Sequence, residues 1–277
     1  MNQPFVSILM TAFNRQQFIA EAIQSVIEST YQNWELIIVD DASNDDTVAI
    51  AKNFAEKDNR IQLYINENNL GDYPNRNKAA SLAKGKYLKY VDSDDTIYSD
   101  ALGNMVRAME QFPQAEWGLG SLVHTITEPV CLSHKEAYEF HYFNNPVFFA
   151  SPGMAIISKS AFAAVNGFGF KRMVSDFDMW HKLSAHSPVV LIPGNIVHIR
   201  THNQQEVTQQ KDYVLEYEKI KLQYISRPGS PLSKEQVKQI KTRRRNTVFK
   251  IAVNKIIKLD VKAAIPRLKV FWFYLWN

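Results

Sequence analysis

Four short apolar runs, each followed by a stretch with helical spacing, constrain this chain more than any other feature. The runs cover residues 6–10, 35–39, 61–65 and 87–91, and the helical stretches cover 17–29, 47–57, 75–83 and 99–112. Within each helical stretch the apolar residues fall on one side. The apolar runs are continuous rather than alternating, the pattern of strands buried on both faces. Strand and helix in this order predict an α/β layer fold: a mixed, mainly parallel sheet flanked by helices. Ligands of such sheets bind beyond the carboxyl ends of the strands. Those positions hold residues 11–15, then Asp40 and Asp41, then 66–69 with Gly71, then 92–95. Any one of these polar loops is ordinary. Four that bring acids, an arginine and an aromatic to one edge make a candidate site.

With 277 residues, 45% of them hydrophobic and 22% charged, and with only 10 Gly and 11 Pro, the chain can bury a sizeable core. The single cysteine, Cys131, permits no intrachain disulfide, and no Cys/His spacing resembles a zinc site, so a reducing compartment is expected. Residues 1–10 lack the features of a secretory signal, and no run of about 18 apolar residues occurs. The expectation is a cytoplasmic protein. Charge divides the chain: residues 211–277 carry 16 Lys and Arg against 5 Asp and Glu, leaving residues 1–210 at −7 out of +4 overall. An acidic body excludes nucleic acid as a natural partner and suits a bound divalent cation. The basic tail suits an anionic partner or is a solvated helix face.

The second half is less regular. Residues 121–150 predict irregular structure with one short strand, and 151–154 a turn into a strand at 155–157. A short helix follows at 158–165, and Phe177, Trp180 and Leu183 mark an amphipathic helix over 176–185. Strands at 189–192 and 196–199 are expected to close the sheet. Ser233 and Gln236 match a capping box ahead of a long helix with Val237, Ile240, Val248, Ile251 and Ile256 on its apolar side. A last short helix is expected to stop at Ile265, before Pro266, and residues 271–276 hold five aromatics. The resulting division is a body of residues 1–215 and a basic helical extension of residues 216–277.

Asp92, Asp94 and Asp95 form the sharpest feature. At i and i+2 of an extended segment, Asp92 and Asp94 point the same way and can face one ligand. Crowded carboxylates repel unless compensated, and a hard cation such as Mg²⁺ or Mn²⁺ would do so. An acidic solvated turn or a helix cap is the structural alternative.

Residues 6–15, 40–47, 69–77 and 90–95 together resemble the family-2 glycosyltransferases of the GT-A fold, in order and spacing, over roughly residues 4–205. The resemblance implies inverting transfer of a sugar from a nucleotide diphosphate, usually with Mn²⁺ or Mg²⁺. It implies that Thr11, Phe13 and Arg15 line the nucleoside and approach the phosphates. Asp41, with Asp40 beside it, would accept from the base, and Arg76 would support the base or the diphosphate. Asp92 would meet the ribose or the metal's water shell, Asp94 the metal, and Asp95 would assist. Asp176 falls where the family has its general base, at a helix start whose dipole favours the anion, with Asp178 a weaker candidate. Arg200 and His202 fall in a late segment that closes over the donor, His202 on the metal or a phosphate. Structural alternatives stand beside these roles: strand-end packing for Phe13, salt bridging for Arg15 and Arg76, and an N-cap for Asp176.

The chain departs from the family pattern at Phe13, where Tyr is common, at Ser175, where Glu is common, and over 72–75, where small residues are common. The donor is expected to be a UDP-sugar and the acceptor a hydroxyl of a saccharide or lipid-linked glycan in cell-envelope polysaccharide synthesis. Residues 11–15 contain no glycine, which argues against the phosphate loops of nucleotidyltransferases and dinucleotide enzymes. The rival reading is a non-catalytic sugar-nucleotide-binding protein of the same fold. The tail reads as a peripheral contact with the cytoplasmic membrane face, or as a packing or homodimer helix.

Overall fold

The computed structural model describes residues 3–121, 123, 125–202, 213–258 and 260–276. Strand β1 (Val6–Ala12) lies parallel to β2 (Trp34–Asp40) and β4 (Tyr87–Tyr90), and β3 (Ile61–Ile65) extends the sheet beside β2. Beyond β4 come β8 (Ala155–Ser158), antiparallel to both neighbours, then β6 (Trp117–Ser121), β9 (Val189–Pro193) and β7 (Val130–Leu132). All seven residues of β2 are buried, as its unbroken apolar run requires. Alternate residues sort to two cores. Ile8, Met10, Leu36 and Ile38 face one side, covered by α1 (Ile19–Ile27), α2 (Thr47–Ala55) and α4 (Ala101–Gln111). Leu9, Ile37, Val39 and Leu88 face the other, covered by α3 (Asp72–Leu82), α6 (Lys159–Ala164) and α7 (Ser175–His186).

The structure corrects several expectations. The segment at 196–199 does not close the main sheet: β10 (Val197–His198) pairs with β5 (Thr96–Ile97) in a separate two-stranded sheet. Both flanks of β9 are already taken, by β6 and β7, so the chain turns at Gly194, in the left-handed region at φ 102°, and runs back across the acidic turn. Strand β6 has no counterpart among the expected elements. Two glycines weaken its strand signal, yet they are what lets it fit: a Cβ at Gly118 or Gly120 would stand 2.8 or 2.7 Å from Ile192 or Ile196. Within 121–150, where Leu122 and His124 lie outside the described residues, β7 is the short strand. It is followed by α5 (His134–Glu139), a π-turn and a 3₁₀ turn.

Three helices complete the chain: α8 (Val214–Ile225), α9 (Lys234–Ile257) and α10 (Val261–Trp276). Ser233 and Gln236 form the expected capping box. Ile240 and Val248 are buried as predicted, whereas Ile251 and Ile256 are exposed. Pro266 lies inside α10 rather than ending a helix. It falls early in the helix, where Asp260 caps the first turn through the Ala263 N–H, and buried Val270 and Tyr274 dock the later turns. No helix among the described residues is long and apolar enough to cross a membrane.

Leu222, Ile240, Val248 and Tyr274 share the core that covers Leu9 and Val39, so these helices pack on the body. At their centre Glu218, 2% exposed, binds Lys221 at 2.7 Å, Arg244 at 2.6 Å and the Tyr274 hydroxyl at 2.5 Å. Desolvation opposes the Glu218 charge, but Lys221 and Arg244 outweigh it and hold its pKa below 4.5. Its stabilisation is therefore present above that value and lost as pH falls through the lowered one. Removing the carboxylate leaves two cations facing each other. Glu218→Ala should lower stability by about 3 kcal/mol in denaturant unfolding at pH 7; an unchanged midpoint would contradict this.

Candidate active site

The carboxyl ends of β1, β2 and β4 open into a cleft of about 910 Å³. Thr11 at the end of β1, with Phe13 and Arg15 just after it, lines the cleft, as do Asp41, Arg76, Asp92, Asp94, Asp95 and Asp176. Asp40 is not brought there. It is fully buried, its carboxylate accepting from the Ser43 N–H at 2.8 Å and hydroxyl at 2.5 Å, so it shapes the turn after β2 instead of meeting a ligand. The chain reverses through Ala42, at φ 65°, which sends Asp40 and Asp41 in different directions. Asp41 accepts from Asn66 Nδ2 at 2.6 Å and from the backbone of Leu70 at 2.8 Å and Gly71 at 2.9 Å. It thereby fastens the 66–71 loop while keeping acceptor capacity on the cleft side.

Arg76 stands on α3 with its guanidinium buried. Its Nε donates to Asp72 at 2.7 Å, and its Nη2 lies 2.7 Å from Asp92 Oδ1. Among the described residues Nη1 of Arg76 is buried without a hydrogen-bond partner, while Nη2 pairs with Asp92 Oδ1. Desolvation works against the charge, and Asp72 and Asp92 more than offset it. A buried donor of this kind at a cleft wall suits an anionic ligand.

The acidic residues do not share one ligand direction. Strand β4 ends at Tyr90, and 92–95 is a turn closed by the Asp95 N–H on the Asp92 carbonyl at 3.0 Å, so the i, i+2 rule of a strand no longer applies. Asp92 faces Arg76, whereas Asp94 Oδ2 receives Arg15 Nε at 3.2 Å and His202 Nε2 at 3.0 Å. Arg200 clamps the turn from above, its Nε donating to the Asp94 carbonyl at 2.6 Å and its backbone N–H to Asp95 at 3.0 Å. Burial, with Asp92 beside it, pushes the Asp95 carboxyl up to about 7. Both arginines thus take the salt-bridging part that the sequence allowed, and do so on the cleft wall.

Among the described residues no three His, Cys, Asp or Glu side chains converge as a metal cage. Asp94 and His202 alone offer an oxygen and a nitrogen 3.0 Å apart. That separation suits adjacent ligands of an octahedral ion with bonds of about 2.1 Å, and an ion of this kind takes most of its shell from water and phosphate. The donor set fits.

Asp176, which also lines the cleft, occupies the first turn of α7, not the N-cap, which is Val174. Its Oδ1 accepts from the Phe177 N–H at 2.7 Å, and its own N–H points at the Tyr73 hydroxyl at 3.4 Å. Burial pushes its pKa up to about 7, against the pull of the Phe177 N–H and Arg76. Asp178 turns away to Tyr224 at 2.9 Å and Lys182 at 2.8 Å. Ser175 is buried on the carbonyls of Gly169 and Lys171 at 3.0 and 2.6 Å.

Sequence reasoning missed three parts of the site. Lys89 is fully buried inside β4, donating to the carbonyls of Tyr90 at 2.8 Å and of Gly153. Burial draws its pKa down to about 7. Tyr73 packs beneath Asp176, and Phe149, Phe170, Met173 and Tyr217 add an aromatic and apolar end to the cleft. An aromatic-rich stretch without any period at 138–149 was the available signal for Phe149.

The profile of the family described as Glycosyl transferase family 2 matches residues 7–165. An uncharacterized glycosyltransferase of Haemophilus influenzae is 37% identical over 111 residues, 40% of this chain and 44% of that protein. The GalNAc(5)-diNAcBac-PP-undecaprenol beta-1,3-glucosyltransferase of Campylobacter jejuni is 32% identical over 105 residues, 38% of this chain and 34% of its own. These alignments cover less than half of either relative. Among solved structures, S. aureus TarS 1-349, also solved with UDP-GlcNAc, superposes with a TM-score of 0.63 at 15% identity, covering 98% of this chain and 91% of that one. The Pyrobaculum calidifontis mannosyltransferase PcManGT, in complex with GDP-Man and Mn²⁺, gives 0.62 at 15%, covering 100% and 88%. The mainly parallel sheet flanked by helices is the GT-A fold. With more than half of its length matched, the chain belongs to glycosyltransferase family 2.

Proposed function

We propose that the protein is an inverting glycosyltransferase that moves a sugar from a UDP-sugar to a hydroxyl of a saccharide or lipid-linked glycan. Residues 1–215 form the catalytic unit in this reading. The observation that carries it is the placing of one carboxyl, Asp176, in the same cleft as Arg15, Arg76 and the acidic turn. UDP-GlcNAc in TarS and GDP-Man with Mn²⁺ in PcManGT support a nucleotide-sugar donor, and the glucosyltransferase relative supports a glycan acceptor.

In this mechanism Thr11, Phe13 and Asp41 hold the nucleoside, Asp41 accepting the imide N–H of uracil. Asp92 meets the ribose, and Arg15 and Arg76 set positive charge where the diphosphate departs, the bond whose breaking needs charge stabilisation. Mn²⁺ or Mg²⁺, held by Asp94 and His202 with Asp95 behind them, would supply Lewis-acid neutralisation of the leaving diphosphate. Asp176 takes the proton of the acceptor hydroxyl. The hydroxyl oxygen bonds to the anomeric carbon as the carbon–oxygen bond to the diphosphate breaks, and UDP leaves. One displacement inverts the centre, so one base suffices; retention would require a second nucleophile. The rival, a sugar-nucleotide binder without turnover, gives Asp176 no task.

A carboxyl titrating near 7 is a stronger base than an ordinary one, and only its deprotonated form acts. With UDP-sugars as donors, kcat/KM should rise about tenfold per pH unit below 7 and level off above it. Asp176→Asn should lose on the order of 10²-fold or more in kcat while still binding UDP. Full activity in that variant would sink the assignment.

Residues 216–277 are proposed to rest on an anionic membrane surface. Phe249, Val253 and Ile257 line a shallow apolar depression beside Lys250, and Trp272 and Ile265 are exposed on the neighbouring helix. Apolar side chains flanked by many cations suit the headgroup boundary. The full chain should float with vesicles containing phosphatidylglycerol, and Ile257→Glu with Trp272→Ser should weaken that by about tenfold. If the unaltered protein stays unfloated and sediments as a dimer, the face belongs to a second copy.

A further inference from the structure

Opposite the charged end of the cleft lies a plate of aromatic rings. Phe149 packs one face on Phe177 at 5.0 Å between centroids and 13° between planes, and Tyr217 closes its edge at 5.7 Å. Tyr217 is pinned in turn, its hydroxyl donating to the Met173 carbonyl at 2.5 Å and its ring packed on Phe177 at 5.3 Å. Phe149 therefore has a fixed position, yet it remains 51% exposed, and Phe170 beside it is 84% exposed. Both line the cleft. Fixed aromatic surface left open to water inside a cleft is a binding surface in waiting.

We infer that Phe149 is the floor of the acceptor subsite, on which the apolar face of one pyranose ring of a saccharide acceptor stacks. The inference rests on the transfer reading above and gives it an acceptor chemistry. Phe177, which backs Phe149, directly follows Asp176 in the chain, so plate and base are held by the same turn of α7. A pyranose has a C–H face that matches an aromatic plate and a rim of hydroxyls, one of which can reach the carboxylate. A polyprenyl chain would call for a long continuous apolar groove. Here the same cleft is also lined by Arg172, Ser151 and Thr201, polar residues that suit the hydroxyl rim. Tyr217 comes from α8, so the subsite is completed by the helices that follow the body.

The test is ligand-observed saturation-transfer NMR on the full chain with UDP and diamagnetic Mg²⁺ present. The probes are methyl β-D-glucopyranoside, methyl β-D-galactopyranoside and methyl N-acetyl-β-D-glucosaminide. Saturation should concentrate on the C–H protons of one ring face of at least one probe. It should fall about fivefold or more in Phe149→Ala and return in Phe149→Tyr, which restores the ring. UDP affinity should stay unchanged in both variants, which also reports that they are folded. Undiminished saturation in Phe149→Ala, or no saturated pyranoside while UDP is bound, overturns the subsite and leaves the donor reading standing. Failure of the unaltered protein to bind UDP overturns the transfer reading and the subsite with it.

Discussion

The cleft depends on one buried cation. Arg76 lies between Asp72 of its own helix and Asp92 at the end of β4, and this arrangement ties α3 to the acidic turn. A guanidinium removed from water is costly unless carboxylates surround it, and carboxylates crowded at strand ends repel unless a cation divides them. Each side of the cluster is stable because the other is present. The same exchange recurs a few residues away, where Asp94 is held by Arg15 from the loop after β1 and by His202. The strand ends are thus closed on themselves through charge. The cations at this wall are already gathered, and among the described residues one buried guanidinium nitrogen has no partner.

The second dependence runs through α7. The basicity of Asp176 comes from burial, and its position comes from the turn before the helix, where Met173 adopts φ 66°. Helix α8 grips both sides of that turn, Tyr217 on the Met173 carbonyl and Tyr224 on Asp178. Buried Glu218 links α8 to α9 and α10. The basic helices are consequently part of what holds Asp176 in place.

Much of this was legible in the sequence because burial on both faces leaves a nearly unbroken apolar run, as β1 and β2 carry; β3, at the sheet edge, buries only Ile61, and its run was readable from its apolar residues alone. Strand β6 was hidden because it is built for close approach, with glycines at 118 and 120 that carry no strand signal. The edge pairing of β10 was hidden because the availability of a free strand edge is a property of the whole sheet. At the site, residue types were readable and directions were not. Asp40 and Asp41 are neighbours, yet the left-handed turn at Ala42 buries the first and leaves the second on the cleft. Strand geometry gives Asp92 and Asp94 a common direction, but the strand stops at Tyr90. Lys89 was invisible because a lysine in a central strand contradicts the pattern; one carbonyl partner, Tyr90, is its neighbour in the chain, and the other, Gly153, is supplied by tertiary structure.

The central claim is that these charged strand ends form a site for a nucleoside diphosphate and a divalent cation, with Asp94 on the metal side. Calorimetric titration of UDP into the full chain, with and without Mn²⁺, tests it most directly when repeated with Asp94→Ala. The account predicts that Mn²⁺ strengthens UDP binding by about tenfold or more in the unaltered protein, and that this gain disappears in the variant. Binding of UDP that ignores both Mn²⁺ and the loss of Asp94 would contradict it.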